Sequence, residues 1–349
     1  MSRILRALIV VPVLALCLTA CGGTETPTPT TKPTTTTSVT ENEVTTTTEA
    51  QTNTTSLPTM KTTVEKTTTT HTKNVQGGIT HTTAEPTTTK DKSAGKAIKV
   101  LAVGNSFSVD AMQKHLFPML ESAGYTDITL GNLYIGGCSL DTHFGNLKNH
   151  SKVYTYYLNT DGDWNATDAT DASTAFNKVK WDVVTIQQVS SDSGRPATYA
   201  NLAATVDILK THEPQAKILW HMTWAYQQNS THWAFAYYNK DQMTMYNAIT
   251  ATVQEKVLPL STINGVIPSG TAIQNLRTSA LGDTLTSDGH HLLDSYGDYT
   301  AALTWFCTIT GEKPDAVTYR PASVAGQWNA IAAAVENAIK TPYAVTPLT

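Results

Sequence analysis

The sequence from residue 98 to the C-terminus predicts an α/β fold, a three-layer α/β/α sandwich around a central parallel sheet. Short apolar runs alternate with longer stretches whose apolar residues recur at helical spacing, a pattern typical of parallel strands joined by helices. Several apolar runs are followed by glycine, serine, glutamine or tryptophan, which is compatible with a ligand-binding site at one edge of the sheet. The segment is also long enough to bury one sizeable core.

The elements follow in chain order from composition and periodicity. The predicted strands are 98–103, 128–133, 181–186, 217–222 and 265–268, and the predicted helices are 111–123, 201–212, 242–257, 296–310 and 327–339. Residues 141–178, rich in Tyr, Asn, Asp and Thr, are interpreted as a long polar insertion. The sequence leaves open whether residues after Pro314 join the core or wrap around it.

Four of the predicted strands are followed by residues that suit a site. Ser106 comes after the first strand, Gly136 after the second, Gln188 after the third and Trp224 after the fourth. The carboxyl ends of parallel strands lie at one edge of a sheet, and ligands of such sheets bind there. We therefore expect these four residues to meet at that edge.

Residues 1–21 predict an export signal. Arg3 and Arg6 give it a positive start, and the apolar run 7–18 is too short to span a bilayer comfortably. The run ends in Leu-Thr-Ala-Cys, which resembles a bacterial lipobox and makes Cys21 the predicted lipidation site. A plain secretory signal with an incidental cysteine is the alternative. Both place the mature chain outside the cytoplasm, and the lipid would anchor it to the membrane.

Residues 22–97 are dominated by Thr, with scattered Pro, Glu and Lys. Apolar residues are too sparse to offset the entropy of ordering this segment, so it is predicted to be a disordered linker. Thr and Pro together favour an extended tether whose hydroxyls could carry sugars. A stalk that displays the domain and a spacer with no role beyond its length both fit this composition.

Charge and cysteine content narrow the partners and cofactors. The formal net charge is −4 at pH 7, and no cluster of Lys and Arg favours nucleic acid or further membrane contact. The domain at 98–349 contains Cys138 and Cys307, which are too few to define a zinc site. Two unpaired, buried cysteines are favoured over a disulfide.

A serine and an Asp-x-x-His motif at opposite ends of this domain predict a serine hydrolase. A serine hydroxyl needs a base to take its proton and a third group to orient that base. Ser106 is the candidate nucleophile, His291 the base and Asp288 the orienting carboxylate. The three-residue spacing allows one loop to deliver both Asp288 and His291.

An oxyanion hole needs hydrogen-bond donors from more than one segment. The backbone N–H of Ser106 is one candidate, and Gly137 is a second because glycine allows a close backbone approach. A side-chain amide from Gln188 or Gln187, at the end of the third strand, is the third. Which of the two glutamines faces the site is open, with Gln188 favoured.

Each of these features has a simpler explanation when taken alone. Asp288 could cap a turn, His290 and His291 could lie on the surface or bind a metal with another ligand, and Gly136 could form a tight turn. Gly-x-Ser after a strand is common in proteins that lack a catalytic serine. The order of all these features along one α/β topology favours the hydrolase.

The same features resemble the SGNH (GDSL-like) hydrolase superfamily, and within it an exported bacterial branch known as the DUF4886 type. The resemblance extends from residue 98 to about 314. It is carried by 103–108 (Val-Gly-Asn-Ser-Phe-Ser), by the glycine at 136 or 137, and by 288–292 (Asp-Gly-His-His-Leu) with 299–305 after it.

The resemblance implies an SGNH/flavodoxin-like sandwich in which Ser106 is the nucleophile, His291 the base and Asp288 its orienting acid. It also implies cleavage of esters, often acetyl esters on carbohydrates, without a metal or organic cofactor. Two departures stand out. Asn105 replaces the aspartate of the first block, and the family's Gly-x-Asn-Asp block is replaced by Gln187-Gln188 after the third strand. Esterases of the sialate-acetylesterase type, which also use a glutamine in this region, suggest that an amide donor is retained.

We expect an acylated carbohydrate as substrate and O-acetyl as the acyl group. Aromatic residues on the expected rim loops would stack on sugar rings, and His221 would hold hydroxyls. The aromatics are Tyr134, Trp220, Trp224, Tyr226 and Trp233, several of which could instead pack in the core. The competing functions are a catalytically silent carbohydrate-binding domain on a stalk, a lipase or thioesterase acting on acyl chains, and a metal-dependent hydrolase using His290 and His291.

Overall fold

The computed structural model describes residues 95–348. The predicted export signal, the predicted lipidation site Cys21 and nearly all of the predicted linker lie outside the described residues. Within 95–348, no helix combines the length and apolar character that crossing a bilayer requires.

The described strands form one seven-stranded sheet. They are β1 (Lys96–Gly104), β2 (Tyr125–Tyr134), β3 (Tyr154–Asn159), β4 (Trp164–Thr170), β5 (Val183–Ile186), β6 (Lys217–His221) and β7 (Gly265–Ile267). Their order is β4-β3-β2-β1-β5-β6-β7. The five strands from β2 to β7 in this order are parallel, whereas β3 and β4 are antiparallel to their neighbours.

Helices cover both faces of the sheet. They are α1 (Ser106–Ser108), α2 (Leu116–Ser122), α3 (Leu140–Lys148), α4 (Ser173–Lys178), α5 (Leu202–His212), α6 (Gln242–Thr252), α7 (Ser269–Leu276), α8 (Tyr296–Thr310), α9 (Ala322–Ala325) and α10 (Trp328–Lys340). In one layer α2, α7 and α10 pack against α8, and α3 packs against α5 in the other. The predicted three-layer α/β/α fold is confirmed.

The centre of the core is β1, which pairs with β2 on one side and with β5 on the other. Its residues Val100–Val103 are almost completely buried, as expected for a strand covered on both faces. The chain moves from β1 to β2 in one direction and later to β5 in the other. The sheet therefore has a topological switch point between the carboxyl ends of β1 and β5, where open α/β sheets bind ligands.

The predicted polar insertion is the main error of the sequence-based fold. Its middle forms the hairpin of β3 and β4, which extends the sheet in antiparallel fashion. In β3, Tyr154 and Tyr156 are buried while Thr155 and Tyr157 are partly exposed. This period-2 alternation is the signal of a strand with one buried face, and the polar composition obscured it.

One predicted helix differs in detail, and one helix was not predicted. The predicted helix 111–123 is a π-helical turn (Val109–Gln113) followed by α2. Pro118 explains the restart, because proline lacks an N–H and is tolerated in the first turn of a helix. The helix α7 was missed because it is only eight residues long and contains three apolar residues among small and polar ones, although all eight are buried. The C-terminal helix α10 packs on α7 and α8, so residues after Pro314 join the core.

Cys138 and Cys307 are buried and unpaired, as predicted. Burial raises the pKa of each thiol to about 12, so both are protonated at neutral pH. A protonated, buried thiol is a poor nucleophile and acts as a small apolar side chain.

The contact between α7 and the end of β6 gives a test of the fold. A methyl group at Gly270 would lie 2.2 Å from the backbone carbonyl oxygen of Thr223. We expect Gly270→Ala to lower the free energy of unfolding by about 3 kcal/mol, because neither backbone segment can yield. Urea unfolding measures this loss.

The matched control is Gly145→Ala in α3, where an added methyl group meets no atom within 4 Å. Replacing glycine by alanine inside a helix should leave stability unchanged or raise it by about 0.5–1 kcal/mol. Equal urea midpoints for Gly270→Ala and the wild type would contradict the close packing of α7 on β6.

Candidate active site

Hydrogen bonds link Ser106 to His291 and His291 to Asp288 at the carboxyl end of β1. Ser106 Oγ is 2.8 Å from His291 Nε2, and His291 Nδ1 is 2.7 Å from Asp288 Oδ2. Because the carboxylate accepts from Nδ1–H, Nε2 is left as the acceptor for the serine proton. This geometry matches a nucleophile, a base and an orienting acid.

Asn105 holds Ser106 in place. It directly follows β1, has an extended conformation and caps α1, and its Oδ1 accepts the N–H of Phe107 at 3.1 Å. Asn105 is 1% exposed, so its amide must find partners inside the protein. The cap turns the chain sharply after the strand and leaves Ser106 at the edge of the sheet.

One carboxylate builds the loop that carries His291. Asp288 Oδ1 accepts the backbone N–H groups of His290 and His291 at 3.0 and 2.8 Å, while Oδ2 accepts from the His291 ring. Gly289 sits between them with φ +91°, a conformation that favours glycine. The Asp-Gly-His-His sequence therefore forms the turn and also supplies the hydrogen-bonded pair of Asp288 and His291.

The same contacts set the charge of Asp288. Burial by itself raises the pKa of this carboxyl, but the hydrogen bonds from the His291 side chain and from the two backbone N–H groups outweigh it. The net effect lowers the pKa to about 2. Asp288 is thus a carboxylate at any working pH and can stabilise a protonated His291.

Backbone contacts fasten the His291 loop to the domain. The indole N–H of Trp224 donates to the His290 carbonyl at 2.8 Å, and the N–H of Leu292 donates to Asp110 Oδ2 at 2.9 Å. The Trp224 ring stacks on Phe107, the neighbour of Ser106, with ring centres 4.3 Å apart. Trp224 therefore joins the two segments that supply the triad.

Two backbone N–H groups are available for an oxyanion. Within residues 95–348, the N–H groups of Ser106 and Gly137 donate to no protein acceptor. Gly137 has φ +61° and lines the same cavity as Ser106. The side-chain amide of Asn105 donates to the Cys138 carbonyl at 3.0 Å, which holds the Gly137 loop beside the serine. The predicted role of Gly137 is compatible with this placement and stays a prediction.

The glutamines contradict the predicted amide donor. Gln187 is 1% exposed, its Nε2 donates to Asn105 Oδ1 at 2.8 Å, and its Oε1 lies 2.8 Å from His221 Nδ1. Gln188 is equally buried, and its Nε2 donates to Thr198 while its Oε1 accepts the N–H of Leu140. Both amides are engaged inside the protein, so they support the loops and do not face the cavity.

The predicted substrate-binding residues include four that are buried and one, Tyr134, that is partly exposed. Trp224 and His221 are buried and tied into the scaffold, so their predicted contact with substrate is wrong. Trp220 and Tyr226 are buried as well. Tyr134 is partly exposed at the end of β2, packs edge-on against Tyr157 and does not line the Ser106 cavity, so its role stays a prediction.

A cavity of about 300 Å³ opens beside the triad. Most of its lining side chains carry polar groups. The lining residues are Asn105, Ser106, Phe107, Gly137, Val189, Ser190, Ser191, His232, Trp233, His290 and His291. Ser190, Ser191 and His232 were missed because they lie in short 3₁₀ segments or loops that carry no periodic signal in the sequence.

Three histidine rings meet at this cavity. His290 packs against His291 with ring centres 4.1 Å apart, and His232 packs against His290 at 4.8 Å. Burial lowers the pKa of both His232 and His290, so they are neutral at neutral pH. They therefore add polar groups to the cavity without adding positive charge.

Asp288, His290 and His291 also bring potential metal-ligand atoms within 4.8 Å of one another. In the triad, however, the Asp288 carboxylate is already bonded to the His291 ring. A second set, His115, Asp294 and Asp298, is similarly close, but Lys114 pairs with the Asp294 carboxylate. Both sets are thus satisfied in part by the protein's own side chains.

Two carboxyls near the His291 loop have raised pKa values, the partly buried Asp110 and the buried Asp298. Burial raises the pKa of Asp110 to about 6, although the Leu292 N–H and the nearby His291 oppose the rise. Burial raises the pKa of Asp298 to about 7, and Asp110 adds to the effect while Lys114 opposes it. Both carboxyls therefore change charge within the pH range in which the protein would work.

The chain matches a known family over most of the described domain. The profile described as "Domain of unknown function (DUF4886)" matches residues 99–339. A crystal structure of a DUF4886 family protein from Bacteroides uniformis is 38% identical, with a TM-score of 0.70, over 72% of this chain and 98% of that one. The predicted resemblance to this family is confirmed. No curated protein sequence matches the chain.

More distant likenesses are hydrolases by description. A protein from Slackia heliotrinireducens, provisionally described as an SGNH hydrolase, is 18% identical with a TM-score of 0.41, over 61% of this chain and 100% of that one. An acetylxylan esterase from Geobacillus stearothermophilus is 13% identical with a TM-score of 0.38, over 65% and 99%. Likeness at this level does not assign an activity.

The raised pKa of Asp298 predicts that the free energy of unfolding depends on pH. A carboxyl whose pKa is raised in the folded state stabilises the fold below its unfolded pKa, and this contribution is lost as pH rises through the folded value. We expect the contribution of Asp298 to the free energy of unfolding to fall between about pH 4 and pH 7, while the buried histidines, whose pKa values are lowered, act in the opposite direction. Asp298→Asn should remove about 2 kcal/mol of this fall, as measured by urea unfolding at pH 5, 6.5 and 8.

The control is Asp163→Asn, which removes an exposed carboxyl. It should leave the wild-type pH dependence in place. The same change in stability from pH 5 to pH 8 in Asp298→Asn and the wild type would show that Asp298 ionises without cost to the fold.

Proposed function

The chain belongs to the DUF4886 family, and we propose that it is a serine esterase that removes O-acetyl groups from carbohydrates at the cell surface. The observation that carries the proposal is the unbroken Ser106–His291–Asp288 arrangement, with distances of 2.8 and 2.7 Å. It lies at the switch point of the sheet, where ligands of α/β folds bind.

The first half of the reaction acylates the serine. Ser106 Oγ attacks the ester carbonyl carbon, and its proton moves to His291 Nε2. The negative charge that develops on the carbonyl oxygen is held by the N–H groups of Ser106 and Gly137. The intermediate collapses as the sugar oxygen leaves, taking the proton from His291, and acetyl-Ser106 remains.

The second half regenerates the enzyme. A water molecule gives a proton to His291 and attacks the acetyl carbonyl, and the same N–H groups hold the second oxyanion. Collapse releases acetate while the proton returns from His291 to Ser106 Oγ. Asp288 stays ionised throughout, since its pKa is lowered to about 2, and stabilises each protonated form of His291.

The cavity supports a small acyl group and a polar leaving group. About 300 Å³ is at the lower end of ligand pockets, and serine, asparagine and neutral histidine side chains form most of the wall. A long acyl chain would leave these polar groups without hydrogen-bond partners. The predicted lipobox at Cys21 supports the surface location, where glycans are accessible.

The test is hydrolysis of an aryl acetate and of acetylated xylo-oligosaccharides by the purified full-length chain. Ser106→Ala and His291→Ala should each lower kcat by at least about 1,000-fold on both substrates, because the triad acts as a unit. Ser261→Ala, which changes an exposed serine before β7, serves as the matched control and should retain wild-type rates.

Each failure has a distinct meaning. Wild type without turnover, or equal turnover in Ser106→Ala, would exclude the serine esterase and favour the displayed binding domain. Faster turnover of an aryl octanoate than of the acetate would favour acyl chains as substrates. Loss of activity with a chelator, together with indifference to Ser106→Ala, would favour a metal-dependent hydrolase.

A further inference from the structure

Two large aromatic side chains stand on the surface next to the cavity. Trp233 is 68% exposed and Tyr237 is 50% exposed, and their rings meet edge to face with centres 5.5 Å apart. Both belong to the 3₁₀ helix Trp233–Tyr238. Burying two such rings would stabilise the protein, so their exposure side by side is typical of a surface that binds a ligand.

These rings continue the wall of the catalytic cavity. Trp233 lines the cavity together with Ser106 and His291. The His232 ring stacks beside Trp233 with centres 5.7 Å apart, and His232 in turn packs against His290. His290, His232, Trp233 and Tyr237 therefore form an aromatic strip that begins beside the proposed base His291 and runs outward over the surface.

The strip is held rigidly from below. Ala234, Phe235 and Tyr238 of the same 3₁₀ helix are buried. The Tyr238 hydroxyl donates to the Ser191 carbonyl at 3.0 Å, which ties the helix to the opposite wall of the cavity. The outward faces of Trp233 and Tyr237 are thus fixed before a ligand arrives, which reduces the entropy cost of binding.

Polar groups accompany the aromatic faces. The Arg195 guanidinium lies 4.2 Å from the centre of the Tyr237 ring and pairs with Asp192 at 2.7 Å. His232 Nδ1 accepts the N–H of Ala234, so the proton of this neutral ring is on Nε2. Donors and acceptors beside flat apolar faces match a sugar ring, which presents C–H groups on its faces and hydroxyls at its edge.

We propose that the aromatic strip binds the sugar rings next to the acetylated one, so that the substrate is an oligosaccharide or polysaccharide and not a single sugar. The inference rests on the proposed deacetylation and adds a subsite outside the cavity. A cavity of about 300 Å³ has room for an acetyl group and the sugar ring that bears it. Trp233 continues from the cavity lining onto the surface, where it is 68% exposed, and Tyr237 lies beyond the lining, where a longer chain would reach.

The experiment compares acetylated sugars of increasing length, using xylo- and manno-oligosaccharides of one to four rings. In the wild type we expect kcat/KM to rise at least about tenfold from one ring to four, mainly through a lower KM. Trp233→Ala should abolish this rise, and Tyr237→Ala should reduce it. Leu258→Ala, which truncates a 48% exposed leucine outside the strip, should keep it.

A second measurement does not depend on turnover. In the Ser106→Ala background, titration calorimetry with the four-ring sugars should give at least tenfold tighter binding than with the one-ring sugars, and adding Trp233→Ala should remove the difference. Equal kcat/KM for all lengths in the wild type, or a length dependence that survives Trp233→Ala, would overturn the subsite.

Failure of the proposed function looks different. A wild type that cleaves the aryl acetate through Ser106 but no acetylated sugar of either series would contradict the carbohydrate substrate itself. The subsite would fall with it, whereas the serine esterase would stand.

Discussion

The buried side chain of Asn105 is the contact on which the site depends. Its oxygen caps the turn that presents Ser106, and its amide nitrogen holds the Cys138 carbonyl and with it the Gly137 loop. These two backbone partners fix which end of the amide is oxygen. The orientation of the Asn105 amide also fixes that of Gln187, whose nitrogen must donate to Asn105 Oδ1. The Gln187 oxygen then accepts from His221 Nδ1. His221 is neutral because burial lowers its pKa to about 3. A satisfied buried network of this kind specifies one geometry.

The topology supplies the rest. Placing β1 between β2 and β5 opens a crevice at their carboxyl ends, and the loops after these three strands carry Ser106, Gly137 and Ser190 into it. The His291 loop comes from a distant part of the sequence. It is held by hydrogen bonds that Asp288 accepts from its backbone and by the one that Trp224 donates to the His290 carbonyl. The proposed catalytic geometry is thus assembled on the backbone at the strand ends, while the outer cavity wall comes from the short 3₁₀ helix that bears Trp233.

The sequence predicted those parts whose physics is local. Periodicity located the parallel strands and α8, and the chemistry of Ser106, His291 and Asp288 identified three side chains that the structure brings together. It failed where a residue's role depends on its partners. Gln188 follows a strand end as a donor would, yet its amide is consumed by Thr198 and Leu140. Trp224 and Trp233 carry the same side chain on neighbouring loops, but one is buried and the other 68% exposed. Only the tertiary packing separates them.

The most direct test of the account is to label the nucleophile covalently. The full-length chain would be incubated with a fluorophosphonate, and the intact mass and the modified peptide would be determined. We expect one adduct, located on Ser106, that forms far more slowly in His291→Ala because the serine has lost its base. A wild type that stays unmodified, or an adduct on another residue, would contradict a catalytic triad in this fold.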